Sequence, residues 1–282
     1  MRLLANLKIS VAISLLVAGA FIAIAMLSSQ IIIRDINNMR EVSELSQLSS
    51  LAIKTSSLLH ENQKERAYTG VFVGSKGEKF KSEMETQRAV VDKKKQEVLD
   101  FVKDMNRQAY GKEFNEKLDD MLSDLSKQEG IRSSASSLSI ELPDAIGYYT
   151  KLNGKMIDLV GYMPNLSHDP QISLAIVSFA NFMKGKEYTG IERAVAGGGF
   201  STGNFSPAII SKLRELIAMQ NAYKTVFLSY ASAEQKSLFD KVLNDQSAKD
   251  VAKMEAIALD NDPEQVKTVQ ATVWTDTITK KI

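Results

Sequence analysis

Apolar positions recur along most of the chain at the three- and four-residue spacing of an α-helix, and no stretch shows the alternation typical of a strand. The pattern therefore predicts an all-α protein. We place helices near residues 35–73, 77–106, 108–129, 143–163, 170–196, 207–231, 233–260 and 263–282. Eight helices are typical of two stacked four-helix bundles, here residues 35–165 and 166–282.

Capping residues mark the predicted helix starts. A proline at a first helical position after a capping residue favours initiation, and a Ser with Glu or Gln three residues later is a capping box. The prolines are Pro143, Pro170, Pro207 and Pro263, and the boxes are Ser75 with Glu78 and Ser232 with Gln235.

The segment Ile9 to Ile33 contains no charged residue, and its apolar part is long enough to cross a bilayer as one helix of about 29 Å. We predict that residues 1–34 form a cytoplasmic N-terminus and a transmembrane anchor. Arg2 and Lys8 precede the segment, so the positive-inside rule places residues 35–282 in the periplasm. The alternative is a cleaved signal peptide, since Ala23-Ile24-Ala25 fits a cleavage site.

The amino-acid composition argues against several classes of function. The chain of 282 residues has 35 basic and 34 acidic residues, a balance that does not favour binding to nucleic acid. It has no Cys and only two His, His60 and His168, so we expect no metal site, no cofactor and no catalytic residues. His168 is interpreted as a loop residue, and the glycine-rich stretch 197–203 as a flexible connection.

Two arginines lie on predicted inward faces. A heptad-like seam on the first helix includes Asn62, Arg66 and Thr69, and the matching stripe on a later helix includes Thr189 and Arg193. The segments Glu-Arg-Ala around the two arginines lie 127 residues apart and hint at an internal repeat.

A guanidinium inside a bundle needs a negative partner, because desolvating a charge costs several kcal/mol. The partner is either a carboxylate of a neighbouring helix or a small anion, whose oxygens match the guanidinium fork. Glu65 and Glu192 point away around the helix and are interpreted as helix–helix contacts.

The segments 60–67 (His-Glu-Asn-Gln-Lys-Glu-Arg-Ala) and 187–194 (Glu-Tyr-Thr-Gly-Ile-Glu-Arg-Ala), with the later Gly-Phe-Ser, resemble the NIT domain of bacterial receptors and antiterminators. The resemblance covers roughly residues 40–280 and implies nitrate or nitrite binding by Arg66 and Arg193. We predict that Asn62, Thr69 and Thr189 complete the site. Ala67 replaces the glycine usual in the first motif.

We therefore predict an inner-membrane sensory domain that binds nitrate or nitrite and signals across the membrane, as in a chemoreceptor. We expect it to form a homodimer, as receptors with a long membrane-proximal helix do. The output domain of such a receptor is a methyl-accepting domain, a kinase or a cyclase, and the sequence favours none of the three. We expect the sequence to be a fragment of the receptor. The alternative is a membrane-anchored helical adaptor that binds a protein, with both arginines bridged to carboxylates. A third hypothesis, a helical enzyme, is the least favoured because the sequence shows no set of catalytic residues.

Overall fold

The computed structural model describes residues 9–167 and 169–281. Within these ranges the secondary structure consists of helices, with no β-strand. The chain is all-α, as predicted. His168, Arg2 and Lys8 lie outside the described residues. The helices are α1 (Ile9–Gly74), α2 (Lys81–Asp104), α3 (Gly111–Ser126), α4 (Gln128–Ser136), α5 (Leu142–Tyr162), α6 (Pro170–Thr202), α7 (Pro207–Tyr230), α8 (Ala233–Leu243), α9 (Gln246–Asp260), α10 (Pro263–Val266) and α11 (Ala271–Lys281), with 3₁₀ turns at Arg107–Tyr110 and Met163–Leu166.

The chain divides into two compact units, one up to Leu48 and one from Ser49. The predicted division into 1–34, 35–165 and 166–282 stays a prediction. In the first unit, large apolar side chains from Phe21 to Ile33 are exposed. Of the helices searched in the described residues, the stretch Ala20–Gly74 is long and apolar enough to cross a membrane, a test that a signal sequence near the N-terminus also passes.

In the second unit, the predicted seam of α1 is buried. One of its polar members, Asn62, is joined to two other helices: its amide donates to Asn153 Oδ1 of α5 at 2.8 Å and accepts from Gln128 Nε2 of α4 at 2.9 Å. The heptad arithmetic therefore identified the inward face correctly. The buried seam residues are Ala52, Thr55, Leu59, Asn62, Arg66, Thr69 and Val73.

The prediction that the glycine-rich stretch is a flexible connection is wrong, because α6 continues through it to Thr202. A side chain at Gly199 would lie 2.1 Å from the Phe205 ring, so glycine is needed for that ring to pack on the helix. Gly203, with φ of 68°, ends the helix in the left-handed conformation. The stretch is thus a close-packing surface that ends in a cap.

Phe205 belongs to a core that joins the C-terminal half of α6 to α7, α9 and α11. Trp274 of α11 is fully buried there, and its indole donates to the backbone oxygen of Arg193 at 2.9 Å. This core therefore fixes α11 against the part of α6 that carries Arg193.

Several predicted helix bounds need correction. The capping box at Ser75 is wrong: α2 begins at Lys81 after Phe80 in the left-handed conformation, and Ser75 Oγ accepts from the Lys79 amide in a turn. The helix predicted at 108–129 is α3, and α4 extends the helical region to Ser136.

The last two predicted helices are interrupted. The helix predicted at 233–260 breaks where Asp245 caps α9, and the one at 263–282 divides into α10 and α11. The capping box of Ser232 with Gln235 is confirmed, and Pro143, Pro170, Pro207 and Pro263 stand at the first or second helical position.

Candidate anion-binding site

The two predicted arginines come together between α1 and α6. Arg66 is 3% exposed and Arg193 is 6% exposed. Burial, and then the charge of Arg66, lower the pKa of Arg193 to about 10. The side chains thus form a desolvated pair of like charges, a costly arrangement without a nearby anion.

Arg66 has a protein carboxylate as its partner. Its Nη1 is hydrogen bonded to Glu187 Oε1 of α6 and donates to Thr150 Oγ1 of α5 at 2.9 Å. Glu187 is also held by Gln63 Nε2 at 2.7 Å and by Asn153 Nδ2 at 3.1 Å. This half of the pair is neutralised.

The second terminal nitrogen of Arg66 is not used. Nη2 is buried and has no hydrogen-bond partner among the described residues. A Cβ at Gly190 would lie 2.9 Å from Nη2, so the glycine leaves the space that the guanidinium occupies. Arg66 therefore keeps a free donor beside α6.

Arg193 lacks a carboxylate within 4.0 Å in the described part of the chain. Its Nη1 donates to Thr279 Oγ1 of α11 at 3.0 Å, and its Nη2 donates to the Gln63 backbone oxygen of α1 at 3.3 Å. These neutral acceptors orient the guanidinium without cancelling its charge.

A cavity of about 250 Å³ opens at Arg193, lined by His60, Gln63, Lys64, Gly190, Arg193 and Thr279. Its lining contains Lys64 and Arg193 and no carboxylate, but the Lys64 ammonium is paired with Glu61 at 3.1 Å. Burial and Lys186 lower the pKa of His60 to about 4, so the imidazole is neutral at pH 7 and accepts from the Lys186 ammonium at 2.7 Å. Among the described lining residues, the uncompensated positive charge at the cavity is therefore that of Arg193.

Only part of the predicted site lies at this cavity. Arg193 lines it and Arg66 is next to it, but Asn62 and Thr69 are buried elsewhere on α1. Thr189 hydrogen bonds to Gln220 Oε1 of α7 at 2.9 Å, on another side of α6. Helical periodicity did not predict the other five lining residues, which are His60, Gln63, Lys64, Gly190 and Thr279. Gly190, one turn before Arg193, was a sequence feature that could have indicated a close approach to the helix. Nothing in the sequence near Thr279 indicated that it lines the cavity.

The sequence and the fold match known proteins. Residues 57–282 match the family described as nitrate and nitrite sensing, NIT. The chain is 26% identical over 202 residues to the nitrate regulatory protein of Klebsiella oxytoca, covering 71% of this chain and 50% of that protein. It therefore spans about half the length of this curated relative.

The structure of the NasR transcription antiterminator superposes with a TM-score of 0.78 at 23% identity, over 86% of this chain and 65% of that one, and shows a shared fold. Both relatives are named as regulators. Because the family match extends over most of the chain, the protein belongs to the NIT family and contains a nitrate- and nitrite-sensing domain.

Proposed function

We propose that nitrate or nitrite binds in the cavity at Arg193, between α1, α6 and α11. The observation that carries the proposal is the buried Arg193 guanidinium, which faces a basic cavity and has no carboxylate partner among the described residues. A small oxyanion in this position would compensate its charge and meet planar donors.

Of the five residues predicted from the sequence, the proposed site keeps Arg66 and Arg193. Arg66 contributes its unused Nη2, while Gln63, Lys64 and Thr279 contribute polar or charged lining. A four-atom ligand has a binding ceiling near −6 kcal/mol, which corresponds to a dissociation constant of tens of micromolar.

The signal would pass through α1 and α11. Arg193 is hydrogen bonded to both helices, so an anion that recruits its guanidinium changes the balance of contacts with Gln63 and Thr279. A ligand with different affinities for two arrangements of these helices shifts their populations.

We further propose that residues 9–33 anchor this domain in the inner membrane, with residues 35–282 in the periplasm, as the N-terminal part of a dimeric chemoreceptor or similar receptor. Exposed apolar side chains from Phe21 to Ile33 support an anchor, and the basic Arg2 and Lys8 support the orientation. The charge balance does not favour nucleic acid as a partner, although one relative is titled a transcription antiterminator.

The adaptor hypothesis required both arginines to be bridged to carboxylates. Arg66 meets this condition through Glu187, but Arg193 does not in the described residues. The anion site is therefore the better account.

Calorimetric titration of the full chain with nitrate, nitrite and chloride tests the site. We expect nitrate to bind with a dissociation constant of about tens of micromolar and nitrite no more tightly; binding should be lost in Arg193→Gln and retained in the control Arg214→Gln, whose side chain is on an exposed position of α7. Equal heats for wild type and Arg193→Gln would contradict the proposal.

A glycine pair on α6 sharpens the test. Gly190→Ala places a Cβ against Arg66 Nη2 and should weaken nitrate binding about tenfold by displacing the donor. Gly198→Ala is the matched control, because nothing lies within 4 Å of its Cβ. Equal affinities of the two variants would exclude Arg66 from the site.

A further inference from the structure

A second cavity, of about 400 Å³, lies between α6, α7 and α8 and shares no lining residue with the Arg193 cavity. Its volume is in the range typical of small-molecule sites, which are mostly apolar with a few placed polar groups. The anion-sensing role of the domain does not account for it.

The cavity has an aromatic interior. Phe182 of α6, Phe227 of α7 and Phe239 of α8 form a ring cluster with centroid distances of 5.5, 6.5 and 5.0 Å, and Phe179 also lines the cavity. Such a surface favours an aromatic or aliphatic group over an inorganic ion.

The helix that covers the cavity is loosely packed. No residue of α8 is fully buried, and two of its three lining aliphatic residues, Leu238 and Val242, are 64% and 40% exposed. Apolar area on α8 thus remains available, and burying it would stabilise a ligand by roughly 25 cal/mol per Å².

The charges at the cavity have one sign. Lys186, Lys224 and Lys281 line it, and no carboxylate does. Lys281 is paired with Glu255 at 3.1 Å, but Lys224 has no acidic partner within 4.0 Å in the described residues, and the hydrogen-bond partner of Lys186 is the His60 imidazole. Two ammonium groups are therefore available to a carboxylate.

We propose that this cavity binds a small organic acid whose aromatic or medium-length aliphatic body packs among the phenylalanines and whose carboxylate pairs with Lys186 and Lys224. The occupant is a soluble monoanion with an apolar body. The combination of an apolar interior and unpaired cations selects against both neutral apolar molecules and small inorganic anions.

Titration of the full chain in lipid nanodiscs with naphthalene-1-carboxylate tests the proposal, with empty nanodiscs to correct for partitioning. We expect saturable binding of one molecule per chain, at least tenfold weaker binding of the neutral 1-naphthalenemethanol, and no binding of acetate. Equal affinity for the carboxylate and the alcohol would overturn the role of the lysines.

Variants locate the site. Lys224→Gln should weaken naphthoate binding about tenfold, whereas Lys212→Gln, an exposed lysine of the same helix outside the cavity, should not change it. Leu238→Glu should abolish binding by adding a repelling charge, and Leu174→Glu, exposed on α6 outside the cavity, is its control.

Two further outcomes would overturn the proposal. Unchanged naphthoate affinity in Leu238→Glu would place the ligand elsewhere, and dissociation of a wild-type dimer by Leu238→Glu without a change in naphthoate binding would assign the face to a second copy of the chain. Arg193→Gln should retain naphthoate binding, so the failure of this proposal is distinguishable from that of the nitrate site.

Discussion

The two Glu-Arg-Ala segments of the chain share a sequence but not an electrostatic environment. Glu65 of α1 receives two hydrogen bonds of 2.7 Å from Arg132 and one of 2.7 Å from the Tyr149 hydroxyl, and Arg66 is paired with Glu187. Every charge of the first segment is therefore met by an opposite charge.

The second segment lacks this compensation. Glu192 accepts from Gln220 Nε2 at 2.7 Å, while its other oxygen is buried without a hydrogen-bond partner in the described residues. Burial and the neighbouring Glu255 carboxylate raise the pKa of Glu192 well above its usual range. Arg193 has neutral acceptors only. The paired charges of the first segment thus stabilise the fold. The second segment holds the buried, uncompensated side chains of Glu192 and Arg193, and such groups are typical of functional sites.

The largest expected effect comes from breaking the compensated segment. Glu65→Gln removes the carboxylate that neutralises the buried Arg132, and the free energy of unfolding should fall by about 3–5 kcal/mol. Urea denaturation measures the loss. A loss below about 1 kcal/mol would show that Asp92, the other partner of Arg132, suffices by itself.

Replacing each of the two arginines by Met should change the free energy of unfolding by different amounts. Arg66→Met leaves the buried Glu187 without its cation, and we expect a loss of about 3 kcal/mol. Arg193→Met removes an unpaired buried charge, and the free energy of unfolding should stay within about 1 kcal/mol of wild type, because relief of desolvation offsets the lost hydrogen bonds. Urea denaturation of both variants in the absence of nitrate measures the two changes. Equal losses of stability would contradict the view that Arg66 is paired with a carboxylate and Arg193 is not.

The effect expected at Glu192 depends on pH and vanishes at low pH. Because the folded-state pKa is raised, the native protein binds more protons than the unfolded chain above about pH 4.5, and stability is lost as the pH rises from there towards the folded pKa. Glu192→Gln removes this loss. We expect it to match wild type near pH 4.5 and to exceed it increasingly as the pH rises towards 7, by up to about 1.4 kcal/mol per pH unit.

Thermal or urea unfolding at a series of pH values measures the Glu192 effect. Glu215→Gln, an exposed glutamate of α7, is the control and should leave the pH profile unchanged. A difference between Glu192→Gln and wild type that does not grow with pH would show that the carboxylate is ionised in the folded protein.

Local sequence determined the helical class and the inward faces, because these depend on the spacing of apolar residues within one helix. For this reason the sequence predicted the seam through Arg66 and the helix starts marked by Pro207, Ser232 and Pro263. The breaks at Lys81 and Asp245 were not, because a left-handed Phe80 and a break inside a continuous helical pattern have no distinctive spacing.

Only the tertiary structure decided which charges are compensated. The sequence places Glu187 and Glu192 within six residues of Arg193, yet it is Arg66, 121 residues from Glu187, that pairs with that carboxylate. Thr279 reaches Arg193 because Trp274 packs α11 against α6. Partner choice among buried charges depends on contacts between distant segments, and helical periodicity carries no information about those contacts.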